Sequence, residues 1–134
     1  MDWVVIDTGP SVSLLQDAAL WAADLVVIPS AVDYLSSAGL AELVRELTAM
    51  QCRGWKGRLL GVVPTFYDEV TRESEWNLKS LRYTFGDLAL DPIHRSTLLR
   101  ECAAEGRTVW EVEPEGRAAQ EYGALVWRVQ DAAA

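Results

Sequence analysis

The sequence predicts an α/β fold, a mostly parallel sheet covered by helices on both faces. Three observations carry this. Val4–Ile6, Leu25–Ile28 and Leu59–Val63 are continuous apolar, β-rich runs without polar alternation, as strands buried on both faces require. The stretches between them are amphipathic at helical spacing. Strand and helix then alternate along the chain, the order expected of helices packed on a parallel sheet. The 134 residues suit a single domain, 1–134, with a core of its own. Half of them are apolar, which excludes a disordered chain.

The elements follow in order. Val4–Ile6 is the first strand. Leu14, Leu15, Ala18 and Ala22 share one face of a first helix. Leu25–Ile28 is the second strand. Leu40, Leu43, Val44 and Leu47 line one face of a second helix that starts near Asp33. Gly54 and Gly57 close it and lead into the third strand, Leu59–Val63. A helix is expected over 70–85 with Leu78, Leu81 and Phe85 inward, and another over 96–105, stopped by Gly106. Val109–Val112 reads as a short strand. Pro114 breaks the chain, and Ala119, Tyr122, Val126 and Val129 mark a last helix whose Ala132–Ala134 end frays.

Composition narrows the function classes. The net charge is −8, with −6 in residues 1–44, +2 in 45–100 and −4 in 101–134. This balance repels nucleic acid at long range. The one local basic cluster, Arg45, Arg53, Lys56 and Arg58, reads as a solvated helix end and loop, so DNA binding is doubtful. No apolar run approaches the roughly 20 residues of a membrane span, and no secretory signal opens the chain. Cys52 and Cys102 stand far apart and read as buried free thiols of a reducing cytoplasm. The six tryptophans are scattered over separate elements and read as core and helix–sheet packing, with Trp3 and Trp55 at element ends and partly exposed.

The chemistry begins at Asp7. In an open α/β sheet, ligands gather at the carboxyl ends of the strands, and Asp7 falls there. A carboxylate so placed holds a water on Mg²⁺, or orients a hydroxyl that does. It also serves as a turn or helix-capping residue in many folds. Asp-Thr-Gly opens aspartic protease sites too, but those are β-rich with paired carboxylates. Gly9 and Pro10 form a stiff turn. A phosphate-cradling loop, Gly-x4-Gly-Lys-Ser/Thr, is not in this sequence: Lys56 follows Trp55 and Lys79 follows Leu78.

Several motifs occur in a fixed order. They are Trp3-Val4-Val5-Ile6-Asp7-Thr8-Gly9-Pro10-Ser11, Ala22-Ala23-Asp24 with Val26–Pro29, Asp33-Tyr34-Leu35 with Gly39-Leu40, and Leu60-Gly61-Val62-Val63 with Thr65, Tyr67 and Asp68. Phe85-Gly86-Asp87, Ile93-His94-Arg95, Glu101 with Gly106-Arg107, and Glu113-Pro114 with Ala118–Tyr122 follow. In this order the chain resembles the ParA/MinD (Soj-like) family of deviant P-loop ATPases, from Walker B onward. The fold implied is P-loop NTPase-like, incomplete on its N-terminal side, and the domain resembles the C-terminal half of a ParA/MinD-like ATPase domain.

The resemblance implies roles by position. Asp7 is the Mg²⁺-side carboxylate, acting through water. Thr8, Gly9 and Pro10 form the switch that senses the γ-phosphate. Thr65, His94 and Arg95 flank the adenine. ATP and Mg²⁺ are the implied cofactors. A ParB-like or other activating protein is the implied partner, and DNA or plasmid partition, or protein positioning, is the implied role. Two departures stand out: Gly9 replaces the first proline of the switch, and His94 replaces the proline set against the base. With both lysines of the phosphate loop absent, the β and γ phosphates have nothing to neutralise them. The chain alone is therefore expected not to hydrolyse ATP and to bind it weakly at best. An apolar strand at Val4–Ile6 with no neighbour calls for self-association or for a missing N-terminal half. The competing readings are a degenerate, non-catalytic interaction module and the ATP-dependent amidotransferase branch of the same superfamily.

Overall fold

The sheet is built from the two most uniformly apolar runs of the chain. In the computed structural model, which describes residues 3–9, 14–32 and 37–134, strand β1 is Leu25–Ala31 and strand β2 is Arg58–Thr65. They pair in parallel, from Leu25 opposite Arg58 to Ala31 opposite Thr65. The register shifts between Val26 and Val27, where Leu59 and Gly61 are the successive partners. Leu60 is thus the extra residue of a bulge. The segment after residue 88 runs beside the other edge of β2 as an irregular parallel ribbon, with bridges from Val62 to Ala89 and from Tyr67 to His94.

Helices cover both faces. Helices α1 (Leu14–Ala22), α2 (Ser37–Cys52), α3 (Arg72–Phe85), α4 (Thr97–Glu105), α5 (Val109–Val112) and α6 (Arg117–Ala133) connect and flank the strands. Because successive strand residues point to opposite faces, Val62 and Val63 enter different cores. Val62 joins Ile28, Leu47, Met50, Trp55 and Leu81 under α2 and α3. Val63 joins Leu90 and Ile93, against which Leu99, Tyr122 and Leu125 of α4 and α6 pack. A satellite cluster of Cys102, Val109, Ala118 and Ala119 ties α4, α5 and α6 together. Each fully buried Val or Leu side chain stabilises the fold by roughly 1.5–3 kcal/mol. The α/β architecture with a parallel, helix-covered sheet is therefore the one the apolar runs predict.

Local signals account for most helix ends. Thr71 caps α3, accepting from Ser74 N–H. Gly106, with φ 66°, ends α4 in the left-handed conformation, which glycine adopts without a Cβ penalty. Gly54, with φ 103°, turns the chain out of α2. The buried residues of α3 include Leu78 and Leu81, and Phe85 packs at their margin, as its spacing predicts. Asp33, the expected start of α2, lies outside the described residues.

Several expectations are corrected. Val4–Ile6 is exposed coil rather than a strand, with Val5 90 % exposed. A strand needs a ladder partner, and among the described residues β1 pairs with β2 alone. The expected inward face of α1 is open: α1 has no buried residue, and Leu14 and Leu15 are exposed. Val109–Val112 is a helical turn. Thr108 N–H and its hydroxyl both reach the Glu111 carboxylate at 2.7 Å, and Glu113 N–H donates to Val109 C=O. These local bonds outweigh the β preference of a run this short. The tryptophans are not a common core. Trp55 is buried, whereas Trp3, Trp21, Trp76, Trp110 and Trp127 are exposed. Cys52 is exposed and only Cys102 is a buried thiol. Finally, α6 extends to Ala133, where the Arg58 guanidinium donates to the Ala132 carbonyl. Within α6, Val126 faces solvent and Leu125 turns inward instead.

The Thr108–Glu111 box yields a test. Thr108→Ala is expected to cost about 1 kcal/mol, as loss of a helix cap does, read by urea unfolding. The bond from Thr108 N–H, then that from its hydroxyl, holds the Glu111 carboxyl below the usual glutamate range. A depressed folded value means that the Glu111 contribution is complete above the ordinary carboxylate range. It is lost as pH falls through the lower, folded value. Thermal melts of wild type and Glu111→Gln should therefore differ at neutral pH and converge in acid. A difference that persists unchanged to low pH would contradict this.

Candidate functional site

The carboxyl end of β2 gathers most of the polar chemistry. Thr65 is the last strand residue, paired with Ala31 and half-buried. Phe66 follows with φ 55°, the one non-glycine residue with positive φ among those described. For a bulky side chain that conformation costs on the order of 1–3 kcal/mol, and it persists only where neighbours over-determine it. The neighbours are evident. Tyr67 N–H donates to Ile93 C=O at 3.1 Å, and Arg95 N–H donates to Tyr67 C=O at 2.9 Å. Asp68 N–H donates to the hydroxyl of Ser74, which is fully buried, and Val70 N–H donates to Asp68 Oδ1. The turn is thus pinned on both sides, and the Phe66 ring is left half-exposed. The Arg95 guanidinium lies over it at 5.7 Å from the ring centre, a cation–π arrangement.

His94 sits behind this pair. Its ring meets Tyr67 edge to face, with centres 5.0 Å apart. Its Nδ1 lies 2.5 Å from Glu121 Oε1, and its backbone N–H donates to Glu121 Oε2 at 2.9 Å. A carboxylate only accepts, so Nδ1 carries the proton of that bond, an assignment drawn from the partner. Nε2 is buried without a hydrogen-bond partner and lies 3.7 Å from Glu69 Oε2. Arg117 in turn reaches Glu69 Oε1 at 3.4 Å. A cleft of about 270 Å³ opens here, lined by His94, Arg95, Ser96, Leu98, Arg117 and Glu121 among others. Thr65 and Phe66 are not among its walls.

The residues singled out from the sequence thus divide. Thr65, His94 and Arg95 come together at one end of the sheet. Asp7, Thr8 and Gly9 lie in exposed coil ahead of α1 and take no part in the hydrogen bonds of that cluster. Pro10 lies outside the described residues. No group of three or more His, Cys, Asp and Glu side chains among the described residues is placed to hold a metal ion. Among the described residues, no cluster of metal ligands is gathered around Asp7. Phe66 and Glu121 were not legible as site residues. No sequence signal marks a phenylalanine for the left-handed region, and Glu121 meets His94 from 27 residues away. No described helix is long and apolar enough to cross a membrane.

Comparison with known proteins adds likenesses of sequence. A family model described as AAA domain matches residues 1–59. The chromosome-partitioning ATPase Soj of Thermus thermophilus is 33 % identical over 137 residues, covering 98 % of this chain and 55 % of the relative. A ParA family protein of Chlamydia pneumoniae is 30 % identical over 122 residues, covering 90 % of this chain and 48 % of the relative. The chromosome partitioning protein ParA of Caulobacter vibrioides is 35 % identical over 111 residues, covering 80 % of this chain and 41 % of the relative. The chain spans about half the length of the curated relatives it matches.

Proposed function

We propose that this chain, similar over most of its length to ParA/MinD-like P-loop ATPases, supplies the base-side half of a cytoplasmic partitioning ATPase. Thr65, Phe66, His94 and Arg95 take the adenine. Asp7 acts on Mg²⁺ through water, and Thr8, Gly9 and Pro10 sense the γ-phosphate, once a lysine-bearing loop is brought opposite them. When bound, ATP and Mg²⁺ supply the transferable phosphoryl group and the charge that steadies it. The chain itself supplies a ring-stacking surface and one carboxylate. Partition of DNA or positioning of protein, and stimulation by a ParB-like activator, belong to the completed ATPase.

The observation that carries this reading is the gathering of Thr65, Phe66, His94 and Arg95 at the carboxyl end of β2, where an open α/β sheet binds ligands. A second observation supports the need for another half. Val4, Val5, Leu14 and Leu15 are more than four-fifths exposed, and exposed apolar groups in such numbers mark a contact surface.

Calorimetry tests the proposal directly. The chain alone is expected to show no micromolar ATP site and no hydrolysis. Both should appear when it is co-expressed with a segment that carries a Gly-x4-Gly-Lys-Ser/Thr loop. A micromolar site on the chain alone refutes the two-half scheme. The exposed apolar residues also favour a second reading, a non-catalytic module that works by protein contacts. Stable self-association in light scattering, with no ATPase on complementation, selects that reading.

A further inference from the structure

Among the described charged-group contacts, the least exposed joins Glu121 of α6 to His94, the neighbour of Arg95. We infer that Glu121 is a positioning residue for the carboxyl end of β2, tying α6 to the ribbon that carries Arg95 over Phe66. The inference rests on the base-side reading of Thr65, Phe66 and Arg95 given above.

One carboxylate takes two donors from one residue. Glu121 accepts the His94 backbone N–H at 2.9 Å and the His94 Nδ1 proton at 2.5 Å. Both side chains are about four-fifths buried, at 18 % and 21 % exposure, so water competes little for either bond. One helical turn earlier, Arg117 reaches Glu69, which also faces His94 Nε2. Arg117 and Glu121 are four residues apart and so share a face of α6. That face holds the 67–69 turn with one side chain and the 93–95 ribbon with the other. The two ribbons are bonded to each other through Tyr67, Ile93 and Arg95. Phe66 precedes Tyr67, and Arg95 lies over the Phe66 ring, so any motion of α6 at Glu121 reaches both members of the stacking pair. Glu69 and Arg117 are more than half exposed, and their ion pair is worth little in water. Of the two polar ties, Glu121 is therefore the stronger.

Native-state hydrogen exchange on the full chain tests this, with Glu121→Ala and Glu121→Gln. In Glu121→Ala the amides of Tyr67 and Arg95 should exchange at least about tenfold faster, as expected on losing a charge-assisted bond. The amides of Leu60 and Val62 should keep the wild-type rate. Glu121→Gln should fall between, because its amide oxygen still accepts one bond. It also serves if the alanine variant does not fold. A uniform rise across β1 and β2, or no rise at Tyr67 and Arg95, overturns the inference. Millimolar ATP followed by NMR provides the second arm. Wild-type Phe66 and Arg95 signals should move, and Glu121→Ala should need several-fold more ATP for the same shift. Equal titrations in the two proteins overturn the positioning role while the base-side reading stands. If ATP moves no wild-type signal, the base-side reading fails, and the exchange rates still decide the tie.

Discussion

Replacing Trp55 by alanine is expected to remove about 3–5 kcal/mol of stability, the usual cost of deleting a buried aromatic side chain. Trp55 is 5 % exposed and packs with Ile28, Leu47, Met50, Val62 and Leu81. It is also a polar tie: its Nε1–H donates to Ala23 C=O at 3.1 Å, and its backbone N–H donates to Met50 C=O. The ring thus joins the turn before β1 to the turn after α2. The packing is close, since a Cβ at Gly57 would collide with the ring. Domains of this size are stable by about 5–15 kcal/mol in total, so the loss takes a large share. Trp55→Phe keeps most of the apolar volume and forfeits the indole bond. It should cost less, with about 1 kcal/mol of the loss due to that bond. Urea unfolding followed by far-ultraviolet circular dichroism measures both, free of the change in fluorophore. An alanine variant within about 1 kcal/mol of wild type would mean that this ring does not organise the core.

Gly61→Ala is expected to be strongly destabilising. The new Cβ would lie 2.5 Å from Leu88 C=O and 2.7 Å from Leu90 Cγ. The first of these is backbone and cannot rotate away. Relief requires pushing residues 88–90 off β2, which breaks the bond from Leu90 N–H to Val62 C=O. Overpacking of this kind costs about 1–3 kcal/mol, and the lost ladder bond places the expected value near the top, about 3 kcal/mol. Because the displaced ribbon continues into His94 and Arg95, the stacking pair at Phe66 should loosen as well. Gly54→Ala is the control. Gly54 has φ 103°, but a methyl group there would meet nothing within 4 Å, so it suffers conformational strain alone, roughly 1 kcal/mol. Denaturation midpoints falling in the order wild type, Gly54→Ala, Gly61→Ala support the close approach. The reverse order of the two variants would refute it.

The helices that fold as read are those whose apolar spacing meets a sheet within the chain. Leu40, Leu43 and Leu47 pack on the core beneath α2, and Leu78 and Leu81 do so beneath α3. The same kind of pattern at Leu14, Leu15, Ala18 and Ala22 forms a helix in which no residue is fully buried, and Leu20 packs on the core instead. Periodicity says which face is apolar, not whether a partner is there to meet it. Val4–Ile6 fails as a strand for the related reason that β structure is completed by hydrogen bonds to another segment. Val109–Val112 fails because a run of four residues is too short for its β preference to outweigh the Thr108–Glu111 box. Glu111 stands inside that run, three residues after Thr108, so the signal for a helical turn is present in the sequence itself. At the site, motif order located Thr65, His94 and Arg95, whereas the role of Phe66 depends on a backbone angle no motif encodes.

By itself the sequence determined the strands β1 and β2, the parallel sense of the sheet, and the ends of α3 and α4. All of these rest on interactions between residues near one another in the chain, or on hydrophobic runs long enough to dictate burial. Tertiary structure alone decided that Trp55 is buried while Trp76 and Trp127 are exposed, that Phe66 is held strained beneath Arg95, and that Glu121 grips His94. Each of those outcomes depends on which distant surfaces meet. The free energy of such a contact is set by the geometry and desolvation of both partners together, and neither partner's sequence neighbourhood contains the other.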